Sequence, residues 1–167
     1  QRIWDLFGEQ WTVMCTDLAG FSRQGSDFGI IHFLQTIVES QRIFVPVIDR
    51  YEGILLKVEA DSLLLIFRST TKAVECAVAM RKTATNYNVG RPDTEQILIC
   101  FGIGVGNMLR IGEHDVYGDQ VNAASKLGED TAKAGDILVT DAVRRACSDM
   151  SDVDFESIEE VPPGVGA

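Results

Sequence analysis

Two apolar runs that meet at one acidic turn constrain this chain more than any other feature: Gly53–Ala60 and Ser62–Phe67 flank Asp61. Both runs are rich in Leu, Ile and Val with little polar alternation, so they predict a hairpin largely buried on both sides. Such a hairpin needs covering elements, and the rest of the chain supplies them in alternation. Trp11 to Asp17 predicts a strand. From about Ser26 to Arg50, Ile31, Leu34, Val38, Val45 and Ile48 recur at helical spacing, with Pro46 expected to kink or interrupt the helix. Thr71 to about Ala84 predicts a second helix, with Ala73, Ala77, Met80 and Ala84 along one face.

Asn86–Glu95 predicts a loop, and Ile97–Val105 a strand broken by Gly102, Gly104 and Gly106 where something must pack close to the backbone. Met108–Val116 predicts a short strand or arm and Asp119–Glu129 a helix. Gly135-Asp136 marks a turn, Ile137–Thr140 a strand and Asp141–Cys147 a short helix. The order βαββαβ, followed by an extra α/β unit, predicts an α+β fold: a ferredoxin-like sandwich core with an additional C-terminal α/β unit. The expected organisation is a flank over 1–10, one domain over 11–150 and a strand or tail over 151–167, ending loosely in Pro162–Ala167.

With 167 residues the chain is long enough for one domain with a sizeable core. A net charge of −10 argues against a nucleic-acid surface, which needs a basic stripe, but not against nucleotides, whose phosphates can be met by a local metal and a few lysines. No apolar run approaches the ~20 residues of a membrane helix. Cys15, Cys76, Cys100 and Cys147 are scattered without a CxxC pair, as in reduced, buried thiols of a cytoplasmic protein. A chain beginning at Gln1 reads as a fragment of a larger protein. His32 and His114 stand at no metal-ligand spacing and read as structural or surface residues, and Trp4 and Trp11 read as packing residues near the N-terminal flank.

Two constellations carry chemistry. Asp17 ends a strand-like run and is followed by Leu18-Ala19-Gly20-Phe21-Ser22, while Asp61 sits at the hairpin turn with Lys57 four residues before it. Two carboxylates at strand ends beside a glycine turn can hold one or two divalent ions against a phosphate chain. The second constellation is Asp115-Val-Tyr-Gly-Asp-Gln-Val-Asn122-Ala-Ala-Ser-Lys126, in which Asn122 and Lys126 share a helix face at i and i+4.

Together these motifs resemble the class III nucleotidyl cyclase catalytic domain over roughly residues 11 to 142. Asp17-Leu-Ala-Gly-Phe-Ser22 is similar to the family's Asp-Ile-x-Gly-Phe-Thr, and Glu59-Ala-Asp61 to its Gly-Asp hairpin, with Ala60 in place of glycine. The resemblance implies two divalent cations (Mg²⁺ or Mn²⁺) held by Asp17, Asp61 and the carbonyl of Leu18, with backbone N–H groups of Gly20 and Phe21 facing the triphosphate. It makes Lys57 and Asp115 the purine-reading pair. Adenine presents an acceptor and a donor, so its pocket wants one donor and one acceptor, whereas guanine presents the opposite pattern. Guanylyl cyclases typically carry Glu and Cys at these two places. Asn122 is expected to orient the ribose, and Lys126 stands where the family has a transition-state arginine. The implied activity is adenylyl cyclase: ATP to cyclic AMP and pyrophosphate, at sites shared by the two chains of a homodimer.

Several departures favour a rival, a nucleotide-binding or dimerisation module with little or no turnover. Lys126 keeps the charge but loses the bidentate fork. Cys100 and Phe101 precede Gly102-Ile-Gly-Val-Gly106, where the family often has an arginine. A late phosphate-binding lysine is missing from Asp154–Val161, and Arg110 is a candidate substitute. Retention of both metal carboxylates favours the enzyme. A Gly-Gly-Asp/Glu-Glu-Phe turn, the mark of a diguanylate cyclase, is absent.

Overall fold

The computed structural model describes residues 7–19 and 21–158, with side chains described outside 21–28. Strand β1 (Gly8–Leu18) lies at the centre of the sheet and pairs antiparallel with both β3 (Ser62–Phe67) and β4 (Ile99–Ile111). Strands β2 (Ile54–Glu59) and β5 (Asp115–Tyr117) complete the order β2-β3-β1-β4-β5, and β6 (Ile137–Val139) runs parallel to β4. Helices α1 (Phe21–Arg50) and α2 (Thr70–Asn88) connect β1 to β2 and β3 to β4, which is the ferredoxin-like βαββαβ core. Helix α3 (Asp119–Ser125), β6 and α4 (Asp141–Ala146) form the additional C-terminal unit.

Both sheet faces are buried, and the alternation of β1 assigns its residues to them. Met14 and Leu18 enter a core with Phe44, Val47 and Ile48 of α1, Ala77 and Met80 of α2, and Leu65, Phe67 and Phe101. Trp11, Val13 and Cys15 face the opposite way, into a core with Leu56, Ile66, Met108, Val116 and Ala124 of α3. A sheet covered on both sides explains why the hairpin runs read as nearly continuous apolar segments. All four cysteines are buried and free.

The elements differ from the expected ones in instructive places. Strand β1 starts at Gly8, three residues early, because Gly8, Glu9 and Gln10 pair with Leu109, Met108 and Asn107. Helix α1 starts at Phe21, and its break falls at Gly29 (φ 82, ψ 172), a conformation open to glycine, rather than at Pro46. Pro46 sits on an exposed face, where water can serve the carbonyl that loses its partner. Helix α2 is capped by Ser69, whose hydroxyl accepts from Lys72 N–H, and it continues to Asn88. There the Asn88 side chain clasps Ile97 through two hydrogen bonds of 2.7 and 2.9 Å and closes the loop.

Strand β4 runs unbroken through its three glycines to Ile111, and a turn at 112–114 leads into β5. The glycines form a track for α3 instead of a break. A Cβ on Gly102 would lie 2.1 Å from the Ala124 carbonyl oxygen, one on Gly104 2.7 Å from that of Gln120, and one on Gly106 2.9 Å from Gln120 Cγ. The predicted helix over 119–129 is α-helical to Ser125 and then widens into a π turn over Lys126–Thr131. That turn carries Gly128 down onto β1, where a Cβ would meet the Cys15 carbonyl oxygen at 2.6 Å. Residues 151–158 form neither strand nor helix, although Val153 and Phe155 pack against the first core. Among the described residues, no helix is long and apolar enough to cross a membrane.

Candidate active site

Asp17 and Asp61 meet at one end of the sheet. The register that sets Thr16 opposite Leu63 brings the last turns of β1 and the β2–β3 hairpin together, so Ser62 Oγ donates to Asp17 Oδ1 at 3.2 Å. The Leu18 N–H donates to the same oxygen at 3.1 Å. Asp61 projects from the hairpin turn, whose tightness puts the neighbouring Ala60 at φ 51. Burial, the charge of Asp61 and a hydrogen bond between the two carboxyls push the Asp17 acid up to about 6. Ser62 and the Leu18 N–H pull it back in part.

This donor set fits a divalent cation. The two acids raise each other's affinity for positive charge, which a divalent cation would supply better than a proton. Among the described residues no cluster of three or more His, Cys, Asp or Glu side chains gathers, so further donors would be a backbone carbonyl and phosphate oxygens. Gly20, whose N–H is expected beside the triphosphate, lies outside the described residues, as do Trp4 and the side chain of Phe21; the Phe21 backbone, expected beside it too, opens α1.

Lys57 reaches the α3 face of the sheet because of a bulge. Leu55 pairs with Leu65 and faces the α1/α2 core, but Lys57 pairs with Leu64, so the extra residue Leu56 turns Lys57 to the opposite side. Its ammonium lies 2.9 Å from Glu59 Oε1 and 3.7 Å from Asp115 Oδ2. The hydrogen bond it donates to Glu59 and the charges of Asp115 and Glu59 hold the Lys57 pKa above its ordinary value. Asp115 is itself tethered: Val116 N–H donates to Oδ1 at 3.0 Å and Tyr117 OH to Oδ2 at 3.2 Å.

Asn122 lies on the exposed side of α3, and with Lys57, Glu59, Ser62, Ser125 and Glu129 it lines a cleft of about 170 Å³. Lys126 keeps the expected i, i+4 relation, since its N–H bonds to the Asn122 carbonyl, and its side chain is exposed. Asp17, Asp61, Asp115 and Lys126 lie outside the lining of that cleft. One chain therefore presents two groups, a carboxylate pair and a cleft lined by Lys57 and Asn122, with Ser62 belonging to both.

Three neighbours of the site were not singled out from sequence: Ser62, Glu59 as the nearer partner of Lys57, and Tyr117. Glu59 and Tyr117 carried a signal, as the i+2 neighbours of Lys57 and Asp115 on their strands. Cys100 is buried and donates its thiol to the carbonyls of Gly128 at 3.2 Å and Asp17 at 3.4 Å, so it offers the site no charge. Arg110 packs over the Trp11 ring at 5.6 Å, far along β4 from Cys100, the residue opposite Asp17. That separation removes it as a substitute phosphate ligand beside the Asp17 of its own chain.

Comparison with known proteins identifies the family and the fold. The family model described as "Adenylate and Guanylate cyclase catalytic domain" matches residues 8–163. A Rhizobium meliloti (strain 1021) protein named "Putative adenylate cyclase 3" is 26% identical over 144 residues, 86% of this chain and 24% of that protein. The chain thus spans about a quarter of the length of that curated relative, and 16% of another, the Myxococcus xanthus serine/threonine-protein kinase pkn2. Among solved structures, an adenylate/guanylate cyclase/hydrolase from Silicibacter pomeroyi superposes with a TM-score of 0.76 at 23% identity, covering 93% of this chain and 92% of that one. The monomeric guanylyl cyclase domain of the RhoGC fusion protein from Blastocladiella emersonii gives 0.75 at 19% identity, over 86% and 89%. With its ferredoxin-like core, its paired carboxylates and a family match over nearly its whole length, this chain belongs to the class III adenylate and guanylate cyclase catalytic domains.

Proposed function

We propose that this domain is an adenylyl cyclase that converts ATP to 3′,5′-cyclic AMP and pyrophosphate at sites shared between two copies of the chain. The observation that carries the reading is Lys57 beside Asp115: a cationic donor and a carboxylate acceptor 3.7 Å apart, the pattern complementary to the adenine edge. Guanine, with donor and acceptor exchanged, would leave both groups mispaired. The cleft supports a shared site, since about 170 Å³ is small beside the roughly 300–1,000 Å³ of ligand pockets. A second copy would bring its Asp17 and Asp61 to the Lys57, Asp115 and Asn122 of the first, and two-fold symmetry would make two equivalent sites.

In the reaction the ribose 3′-oxygen bonds to the α-phosphorus, the bond from that phosphorus to the β-phosphate oxygen breaks, and the hydroxyl proton leaves to solvent. Asp17, Asp61 and the Leu18 carbonyl would hold two Mg²⁺ or Mn²⁺ ions, whose charge supplies acidification of the hydroxyl and stabilisation of the leaving group. Ser62 and the Leu18 N–H orient the Asp17 carboxylate. Lys57 and Asp115 fix the base, Asn122 the ribose, and Lys126 places positive charge on the phosphates as the transition state develops.

The rival, a nucleotide-binding module without turnover, draws on Cys100, whose buried thiol replaces an often-present arginine. Cyclic nucleotide formation from ATP and from GTP, with Mg²⁺ or Mn²⁺ across a range of protein concentrations, separates the two. Cyclic AMP that rises more than linearly with protein and vanishes in Asp17→Ala supports the cyclase. Confirmed dimers that bind ATP and yield no product support the rival.

A further inference from the structure

We propose that Tyr117 is a positioning residue for purine choice: its hydroxyl holds the Asp115 carboxylate apart from Lys57, so that the acceptor stays open to the base. This inference rests on the adenine reading above.

Strand β5 makes the arrangement possible. Its middle residue, Val116, is buried in the α3-side core, and alternation sends Asp115 and Tyr117 together to the other side. Tyr117 is 53% exposed, so its phenol is not committed to packing. Its OH donates to Asp115 Oδ2 while the Val116 N–H donates to Oδ1, so both oxygens are tethered by donors from their own strand. Each carboxylate oxygen keeps a further lone pair for an incoming amine.

The consequence appears at Lys57. An ammonium beside a free carboxylate closes to a contact pair of about 2.7–2.9 Å. Here Lys57 makes that contact with Glu59 at 2.9 Å and stops 3.7 Å short of Asp115. A closed Lys57–Asp115 pair would satisfy itself, and adenine would have to open it before bonding to either member. Tyr117 therefore acts through Asp115 and not on the base. Losing its hydroxyl should weaken adenine recognition and leave guanine, whose 6-oxygen would meet this carboxylate where adenine offers its amine, almost unchanged.

The test uses 3′-deoxy-ATP and 3′-deoxy-GTP, which lack the attacking hydroxyl and cannot cyclise, with the whole protein, Tyr117→Phe and Asp115→Ala. Dissociation constants are measured by calorimetry in Mn²⁺. The expected result is an adenine preference in the native protein that falls about three- to tenfold in Tyr117→Phe, the worth of one such hydrogen bond, with the guanine constant unmoved. In steady-state assays with ATP the loss should fall on KM. Equal weakening of both nucleotides, or an unchanged preference in Tyr117→Phe while Asp115→Ala abolishes it, overturns the role of Tyr117 alone. No adenine preference in the native protein, or one that survives Asp115→Ala, overturns the adenine reading and this inference with it.

Discussion

Lys57 and Asp115 stand 3.7 Å apart although β2 and β5, which carry them, are at opposite ends of the strand order β2-β3-β1-β4-β5. A flat sheet would separate those edges by four strand spacings of about 4.8 Å each. The sheet instead curls over α3, and Leu56 of β2 and Val116 of β5, next in sequence to the two charged residues, are buried in one core. The apolar contact that closes the curl is thus also what brings Lys57 and Asp115 together.

Acidity at the carboxylate pair has a definite sign. The folded-state pKa of Asp17 is raised from 3.8 to about 6, so the metal-free fold binds the proton more tightly than the unfolded chain does. The stabilisation is complete below about pH 4 and is lost as pH rises to about 6. Thermal melts in chelator should show this decline between pH 4 and 6 in the native protein and not in Asp17→Asn. Added Mn²⁺ should restore stability above pH 6 in the native protein and leave Asp17→Asn unmoved.

Ala60 holds a left-handed conformation, φ 51, in the hairpin turn beside Asp61. An L-residue there costs roughly 1–2 kcal/mol, and glycine returns part of that gain through a more flexible unfolded chain. Ala60→Gly is expected to stabilise the domain by about 0.5–1 kcal/mol in urea unfolding. Ala60 is exposed, so no packing is lost. A destabilised variant would contradict the turn geometry.

The glycine track predicts a graded series. An alanine at 102 drives its Cβ into backbone, the Ala124 carbonyl oxygen and Gly128 N, whereas one at 106 meets only the side chain of Gln120. Gly102→Ala should cost upward of about 3 kcal/mol or prevent folding, and Gly106→Ala about 1 kcal/mol or less, because Gln120 can rotate away. Equal losses at the two positions would remove close approach as the reason for these glycines.

Lys126 tests the proposed transition-state role. A forked guanidinium matches phosphate oxygens better than an ammonium, so Lys126→Arg should raise kcat several-fold. Lys126→Ala should lower it by up to about 10²-fold with little effect on stability, since the side chain is exposed. A kcat indifferent to both changes would take Lys126 out of the mechanism.

The element order was legible because it rests on local periodicity: each strand and helix of the βαββαβ core coincides with a segment whose apolar spacing announces it. The paired aspartates and the Asn122–Lys126 face were legible as motifs at element ends. Element ends and interruptions were less so. Pro46 is the breaker that the sequence offers for α1, but its cost depends on exposure, and Gly29 supplies the break instead. The glycines of β4 pointed correctly to a close approach, yet only the position of α3 shows that they leave the strand whole. Tyr117 and Ser62 were passed over because their roles come from partners that the fold supplies.

By itself, then, the sequence determined the kinds of elements, their order and the residue types able to bind a metal and a purine, all of which follow from spacing along the chain. The tertiary structure alone decided which side of the sheet Lys57 faces, through a one-residue bulge, and that Asp115 meets it from the far edge, through the curl. Neither has a local signature, because a bulge is defined by the register between two strands, and a curl by packing between residues 60 positions apart, Leu56 and Val116.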